Sequence, residues 1–380
     1  MSPRSAAWPA TVLAAALAVS LAACTKSDGG IAGGSDPHAG LRASIESSAG
    51  PKVPQVARPW QPGMPQLGAN VLWEDSKDDD EVTRAKSRRI LDYLISLNVN
   101  SVAVNILFVQ KNITASSVGP DPARTPPPER VQIFLDEARA SRMRVTLRPL
   151  LDEQTLLPLW RGKIAPASRD QWFASYTKFL TGYAVVAQKS QAAEMAVGVE
   201  FNSLQLDPRW AGLIASVRKV FTGQLAYSMN YDRFQKAVRA PAVDSVGVDA
   251  YFKINQPDSA SVKTLTAAWV AWLSRYAGSK APTLILHEAG IAAQNGAYHK
   301  PAQWGSASLA LNLDVQKHWY QAVCAAAQKE HLAGVYFWNV RLHADPGNED
   351  PKQADRLTFV DRPAETVIKD CYAQWGSAQP

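Results

Sequence analysis

The sequence predicts an α/β fold, a single (β/α)8 TIM barrel over residues 61–380, and three observations point to it. Eight short runs rich in Val, Ile, Leu and Ala are each followed by a segment compatible with a helix. The runs are continuously apolar rather than alternating, as strands covered on both faces require. The 320 residues from 61 to 380 exceed a typical domain but are ordinary for one barrel. No internal repeat is evident beyond this alternation.

The elements follow in order. Leu67-Gly68-Ala69-Asn70-Val71-Leu72-Trp73 predicts the first strand, and a helix spans 81–97 with Ile90, Leu91, Leu94 and Ile95 on one stripe. The second strand covers 101–109. A long loop ends in Thr125-Pro126-Pro127-Pro128, where proline suits the first turn of a helix running to 140. The third strand is 144–150, followed by a loop carrying Trp160-Arg161-Gly162 and a helix over 169–188. The fourth is 195–201, with a helix over 208–221. The fifth is 225–230, with a short helix over 232–239. The sixth is 245–251, with a helix over 261–276. The seventh is 283–286, then a loop with Tyr298 and Trp304 and a helix over 314–330. The eighth is 334–338, and a helix over 363–372 closes the chain.

Residues 1–23 have the form of a lipoprotein signal peptide: Arg4, then an apolar run too short for a membrane span, then Leu21-Ala22-Ala23-Cys24. This ending resembles a bacterial lipobox, which implies cleavage before Cys24 and lipid on its sulfur. Thr25, rather than Asp, follows, which favours an outer-membrane anchor facing the periplasm or cell surface. Residues 24–60 are rich in Gly, Ser, Ala and Pro and read as a flexible tether.

Apolar residues make up 46% and charged residues 19%, enough for a large core. The net charge of +6 is scattered, with no basic stripe interleaved with aromatics, so nucleic acid is excluded as a partner. Cys324 and Cys371 either pair in an oxidising compartment or stand as separate buried thiols. No zinc-ligand spacing appears, and His287-Glu288 lacks the second His of a zinc-protease helix, so neither metal nor other cofactor is expected. A monomer is expected.

Two strand ends carry glutamates: Val197-Gly198-Val199-Glu200 on the fourth and Leu286-His287-Glu288 on the seventh. In a barrel of this kind the carboxyl ends of all strands gather at one face, where sites form. Trp73, Asn105, Arg148, Asn230, Tyr251 and Trp338 join that face, with Trp160 and Asn202 on its loops. A carboxylate pair amid aromatic rings suits a polysaccharide or oligosaccharide, because rings stack on sugar C–H faces while polar groups read hydroxyls. Such a pair performs glycoside hydrolysis, one group protonating the leaving oxygen and the other attacking C1 or activating water. Tyr251 is placed to donate a hydrogen bond to the attacking carboxylate. Trp269, Trp272 and Trp319, on helices, are expected in packing.

The chain resembles clan A glycoside hydrolases, and most closely glycoside hydrolase family 113, the β-mannanase-like barrels, over residues 66–338. The likeness rests on Asn100-Ser101-Val102-Ala103-Val104-Asn105, Trp160-Arg161-Gly162-Lys163-Ile164, the run through Glu200-Phe201-Asn202-Ser203-Leu204, Gly247-Val248-Asp249-Ala250-Tyr251, and His287-Glu288-Ala289-Gly290. It implies a retaining mechanism with Glu200 as acid/base and Glu288 as nucleophile. Many relatives place Asn just before the acid/base; here it is Val199, so the sugar 2-hydroxyl contact is expected from Asn202 or Arg148. His287 stands where Thr is commoner. The resemblance implies an endo-acting hydrolase of β-1,4-mannan-like or related β-glycan. Trimming of self-made exopolysaccharide and a non-catalytic glycan-binding barrel remain open at this point.

Overall fold

The computed structural model describes residues 53–377, apart from positions 304, 307 and 354. The signal peptide, Cys24, most of the tether and Trp304 therefore lie outside the described residues.

Strands and helices alternate: β1 Gln66–Trp73, α1 Asp80–Ser96, β2 Ser101–Gln110, α2 Pro128–Ala140, β3 Arg144–Leu151, α3 Arg169–Lys189, β4 Glu194–Val199, α4 Trp210–Arg218, β5 Gln224–Asn230, α5 Tyr231–Gln235, β6 Ser245–Asp249, α6 Val262–Tyr276, β7 Ile285–Ala289, α7 Leu313–Lys329, β8 Gly334–Arg341 and α8 Pro363–Ser377. All eight strands pair in parallel with their sequence neighbours, and β1 pairs with both β2 and β8. The sheet is thus a closed (β/α)8 barrel with no open edge. A two-residue strand, Val118–Gly119, adds antiparallel to the end of β2.

Local chemistry sets the helix starts. The side chains of Asp79, Ser168, Ser261 and Asn312 each accept a backbone N–H in the first turn of α1, α3, α6 and α7. Pro127 and Pro128 open α2, where their missing N–H costs nothing. Two strands differ from expectation. Residues 278–283 form a 3-10 segment with Leu284 N bonded to Ala281 O, so β7 starts at Ile285 and carries Glu288 within it. In the other, β4 stops at Val199, because its register with β5 shifts after Ala196 and Glu200 adopts φ +56°.

The outer core lies between strands and helices. There Trp172, Tyr176, Phe201 and Trp210 pack edge-to-face, and Phe252 stacks on Trp272 at 4.5 Å beside Trp269 and Trp319. Inside the barrel, glycines make room for rings. A Cβ on Gly68 would meet the Tyr336 ring at 2.4 Å, and one on Gly247 would meet His287 at 2.2 Å.

Cys324 of α7 and Cys371 of α8 are joined as a disulfide, with Cα atoms 6.1 Å apart. The link closes a separation of 47 residues, and the chain-entropy account puts its contribution at about 4 kcal/mol. Cys371→Ser should therefore lower the melting temperature, and reduction of the wild-type protein should lower it similarly. Calorimetry with and without reductant checks both; an unchanged melting temperature in either case would count against a stabilising link.

Candidate active site

The barrel closes around one guanidinium. Arg148, on β3 and 2% exposed, directs Nη2 at both oxygens of Asp249 (3.0 and 2.9 Å) on β6. Its Nη1 bonds Asn105 Oδ1 at 2.7 Å and lies 2.5 Å from Glu288 Oε1 on β7. Its Nε donates to Ser228 Oγ on β5 at 3.3 Å. Ser228 Oγ also lies within hydrogen-bond distance of His287 Nδ1, at 2.8 Å. Burial, reinforced by Arg148 and Arg144, pushes His287 down to about 3, so the ring is neutral. Asn105 donates in turn to Asn70 Oδ1 on β1 at 3.0 Å.

Glu288 receives a second donor. Tyr251, two residues beyond β6, gives its hydroxyl to Glu288 Oε2 at 2.7 Å. Burial, with Glu288 beside it, holds the Tyr251 phenol well above its usual range, so it stays a donor.

Glu200 sits just past the end of β4, 7% exposed. Asn230 Nδ2 donates to its Oε1 at 2.5 Å and Arg161 Nη1 to its Oε2 at 3.0 Å. Burial is the largest influence on this carboxyl. Arg161 opposes burial while Glu288 and Glu153 add to it, and the outcome is a value pushed up to about 7. The two glutamates are close enough to act on each other electrostatically, yet each has its own set of donors. One carboxyl is thus set to hold a proton near neutral pH while the other is held in place by a cation and a phenol.

Several expected sugar contacts take other places. Trp73 is 1% exposed and packs against Phe134 of α2, with its indole N–H on Asp75 O. It points into the outer core because its neighbour Leu72 has the inward parity. Asn105 is fully buried beneath the site and supports Arg148. Arg148 itself has all three nitrogens committed to protein partners. Trp338 is almost wholly buried, in the apolar cluster that includes Leu72, Leu107 and Leu150. Trp160 is half-buried, its ring folded over Gly162. Asn202 bonds Asp232 Oδ1 through Nδ2 at 2.8 Å, and its own Oδ1 is buried without a partner. Asn230 and Tyr251 stand on the two glutamates.

Residues given no individual role from the sequence complete the arrangement. Asp249 and Arg161 both lie inside motifs quoted above, and Asp249 stands two residues before Tyr251, the same-face spacing of a strand. Ser228, Asn70 and Glu153 carried no sequence signal.

The profile of Glycoside Hydrolase Family 113 matches residues 72–359, a span that holds both glutamates and every donor just described. The chain belongs to glycoside hydrolase family 113. It is a glycoside hydrolase, an enzyme. Among solved structures it is similar to a GH113 β-1,4-mannanase determined as a complex, with a TM-score of 0.71 and 22% identity over 82% of this chain and 99% of that one. It is also similar to the GH113 β-mannanase AaManA from Alicyclobacillus acidocaldarius in complex with ManMIm, with a TM-score of 0.69 and 20% identity over 82% and 98%. A further GH113 β-1,4-mannanase gives a TM-score of 0.69 and 22% identity over 82% and 99%. At these identities the likeness is one of fold. No curated protein matches the sequence.

Removing the shared guanidinium of this family 113 site should be costly. Arg148→Ala leaves Asp249 and Glu288 buried without a counter-charge, an outcome that costs about 3–5 kcal/mol. Arg148→Lys should recover only part, because one ammonium cannot span both carboxylates. Urea unfolding of the two variants checks this; a loss below about 1 kcal/mol for Arg148→Ala would overturn the anchoring role.

Proposed function

We propose that this family 113 enzyme is a retaining endo-β-glycosidase cutting a β-1,4-mannan-like or related β-glycan by double displacement. The observation that carries the reading is the unequal support of the two glutamates. Glu288, on a strand and fixed by Arg148 and Tyr251, is suited to attack C1. Glu200, with its proton affinity raised, is suited to protonate the glycosidic oxygen. In the first step the C1–O bond breaks, a C1–Oε bond to Glu288 forms, and the leaving alcohol keeps the Glu200 proton. In the second, Glu200 takes a proton from water, the oxygen attacks C1, and Glu288 leaves as carboxylate. Two inversions at C1 restore the β configuration. The relatives named as β-1,4-mannanases support mannan-like substrates. Asn202, next to the acid and with a buried free acceptor, is the candidate for the sugar 2-hydroxyl.

We further propose that the protein is exported and anchored at the outer membrane by lipid on Cys24. The lipobox supports this, and the Cys324–Cys371 disulfide fits an oxidising compartment.

Reducing-end release from mannan, glucan, xylan and bacterial exopolysaccharides tests the activity. Mannan should be cut fastest, with kcat/KM falling as pH rises through about 7, because ionised Glu200 has no proton to give. Glu288→Gly with azide should yield an α-glycosyl azide. A β-azide would make Glu288 the acid/base instead, and release from none of the glycans would leave a binding barrel only. For the anchor, Cys24→Ser should move the protein from the membrane to the soluble fraction, and unchanged fractionation would defeat it.

A further inference from the structure

The two groups hydrogen-bonded to the Glu200 carboxyl both donate to it. A carboxyl acting as acid carries its proton on one oxygen, and that O–H must face the leaving group. Here Oε1 accepts from Asn230 Nδ2 and Oε2 from Arg161 Nη1. Asn230 is not free to turn its amide over, because its Oδ1 accepts the Asp232 N–H (3.1 Å) at the start of α5. A guanidinium has no acceptor and does not deprotonate. Asn230 is held at both ends of its amide whereas Arg161 lies on a loop, so of the two partners Arg161 is the one whose departure would free an oxygen, Oε2, to present a proton.

A destination for Arg161 is already present. Glu153, on the same loop, lies 3.2 Å from Arg161 Nε and accepts the Arg161 backbone N–H at 3.2 Å. Arg161 opens a single-turn 3-10 segment, Arg161–Lys163, outside the barrel strands. The backbone there is pinned: Ser203 N–H donates to Gly162 O at 3.2 Å and Ser203 Oγ to Ile164 O at 2.5 Å. The exchange is therefore a side-chain rotation, which would also break the 3.0 Å bond from Arg161 Nε to Leu151 O.

We propose that Arg161 gates the acid's proton: it holds Glu200 Oε2 in the unliganded enzyme and passes to Glu153 when a sugar fills the mouth. Oε2 then takes up a proton from water and presents it to the leaving oxygen. This positioning role rests on the reading of Glu200 as acid/base. Two cations act on Glu200, Arg161 and Arg148, and three acids, Glu288, Glu153 and Asp249. The phenols of Tyr227, Tyr231 and Tyr251 also face it and stay neutral, since burial raises all three. Arg148 is tied to Ser228, Asn105 and Asp249 on three other strands, whereas Arg161 stands on a loop and is held outside Glu200 by Leu151 O and Glu153, so Arg161 is the cation better placed to move.

The pH dependence of kcat/KM reports the free enzyme and that of kcat the complex. Both are measured on the glycan the wild type cuts fastest. In the wild type the alkaline limb of kcat should lie above that of kcat/KM. Arg161→Gln should raise the kcat/KM limb by roughly 1–3 pH units, the effect of losing an adjacent opposite charge, and so close the gap. Glu153→Gln, which removes the destination, should instead lower the kcat limb toward that of kcat/KM. A merely structural Arg161 would reduce activity and melting temperature without closing the gap. Arg161→Lys keeps the charge and should keep the gap. Wild-type limbs that coincide, or a gap unchanged in Glu153→Gln, overturn the gate; the second result stands even if Arg161→Gln does not fold. If Glu200→Gln retains full activity, the acid role itself fails and the gate falls with it.

Discussion

One guanidinium serves two buried carboxylates, and the inner barrel is arranged around that fact. Arg148 is almost fully enclosed, as are Asp249 and Glu288. Desolvating three charges is expensive, and attraction repays it only when the remaining polar atoms are satisfied. That condition accounts for the side chains beneath the site. Asn105 takes one N–H of Arg148 and is itself held by Asn70; Ser228 takes another and shares a hydrogen bond with His287. His287 in turn needs the space that Gly247 leaves. Six strands thus contribute to fixing the direction of the Glu288 carboxylate.

The same site carries more acid than base. Arg148 and Arg161 face Asp249, Glu288, Glu200 and Glu153. An excess of carboxylates in a buried space favours a proton on the least compensated one. Asp249 has both oxygens on Arg148, and Glu288 has Arg148 and Tyr251. Glu200 has one cation bonded to it, on a loop. Burial raises both Asp249 and Glu200, and Glu200 is the one without a second bonded cation or a bidentate partner. In the proposed reaction that surplus negative charge would favour the positive charge of an oxocarbenium-like transition state.

The barrel was legible because its strands are apolar runs separated by helical periodicity, and that signal repeats along the chain. Both glutamates were legible as strand-end carboxylates. Legibility failed where one residue of register decides a side chain's face. Trp73 follows inward Leu72 and so enters the outer core. The seventh strand begins at Ile285, after a 3-10 turn that its apolar sequence conceals. Arg148 looked like a ligand contact because an arginine at a strand end is solvent-facing unless a partner is known, and its partner Asp249 lies 101 residues away. Arg161 and Glu153 came from a loop whose path no periodicity describes. The pairing of Cys324 with Cys371 depended on how α7 and α8 pack, which composition does not specify.

The two carboxylates face different demands in the proposed double displacement, and the fold meets them with different materials. Glu288 must keep one direction through attack, ester and release, and it is built into a strand with donors from β3 and the end of β6. Glu200 must gain and lose a proton in every cycle, so its surroundings cannot all be fixed. It lies past the strand end in a left-handed conformation that non-glycine residues rarely adopt. That turn takes it out of the ladder and toward the loop after β3, where Arg161 stands. A strand-borne glutamate there could have been held as firmly as Glu288, but its proton affinity would then have been set once for both steps. Displacement from the strand by a single strained residue is what allows a movable cation to act on it.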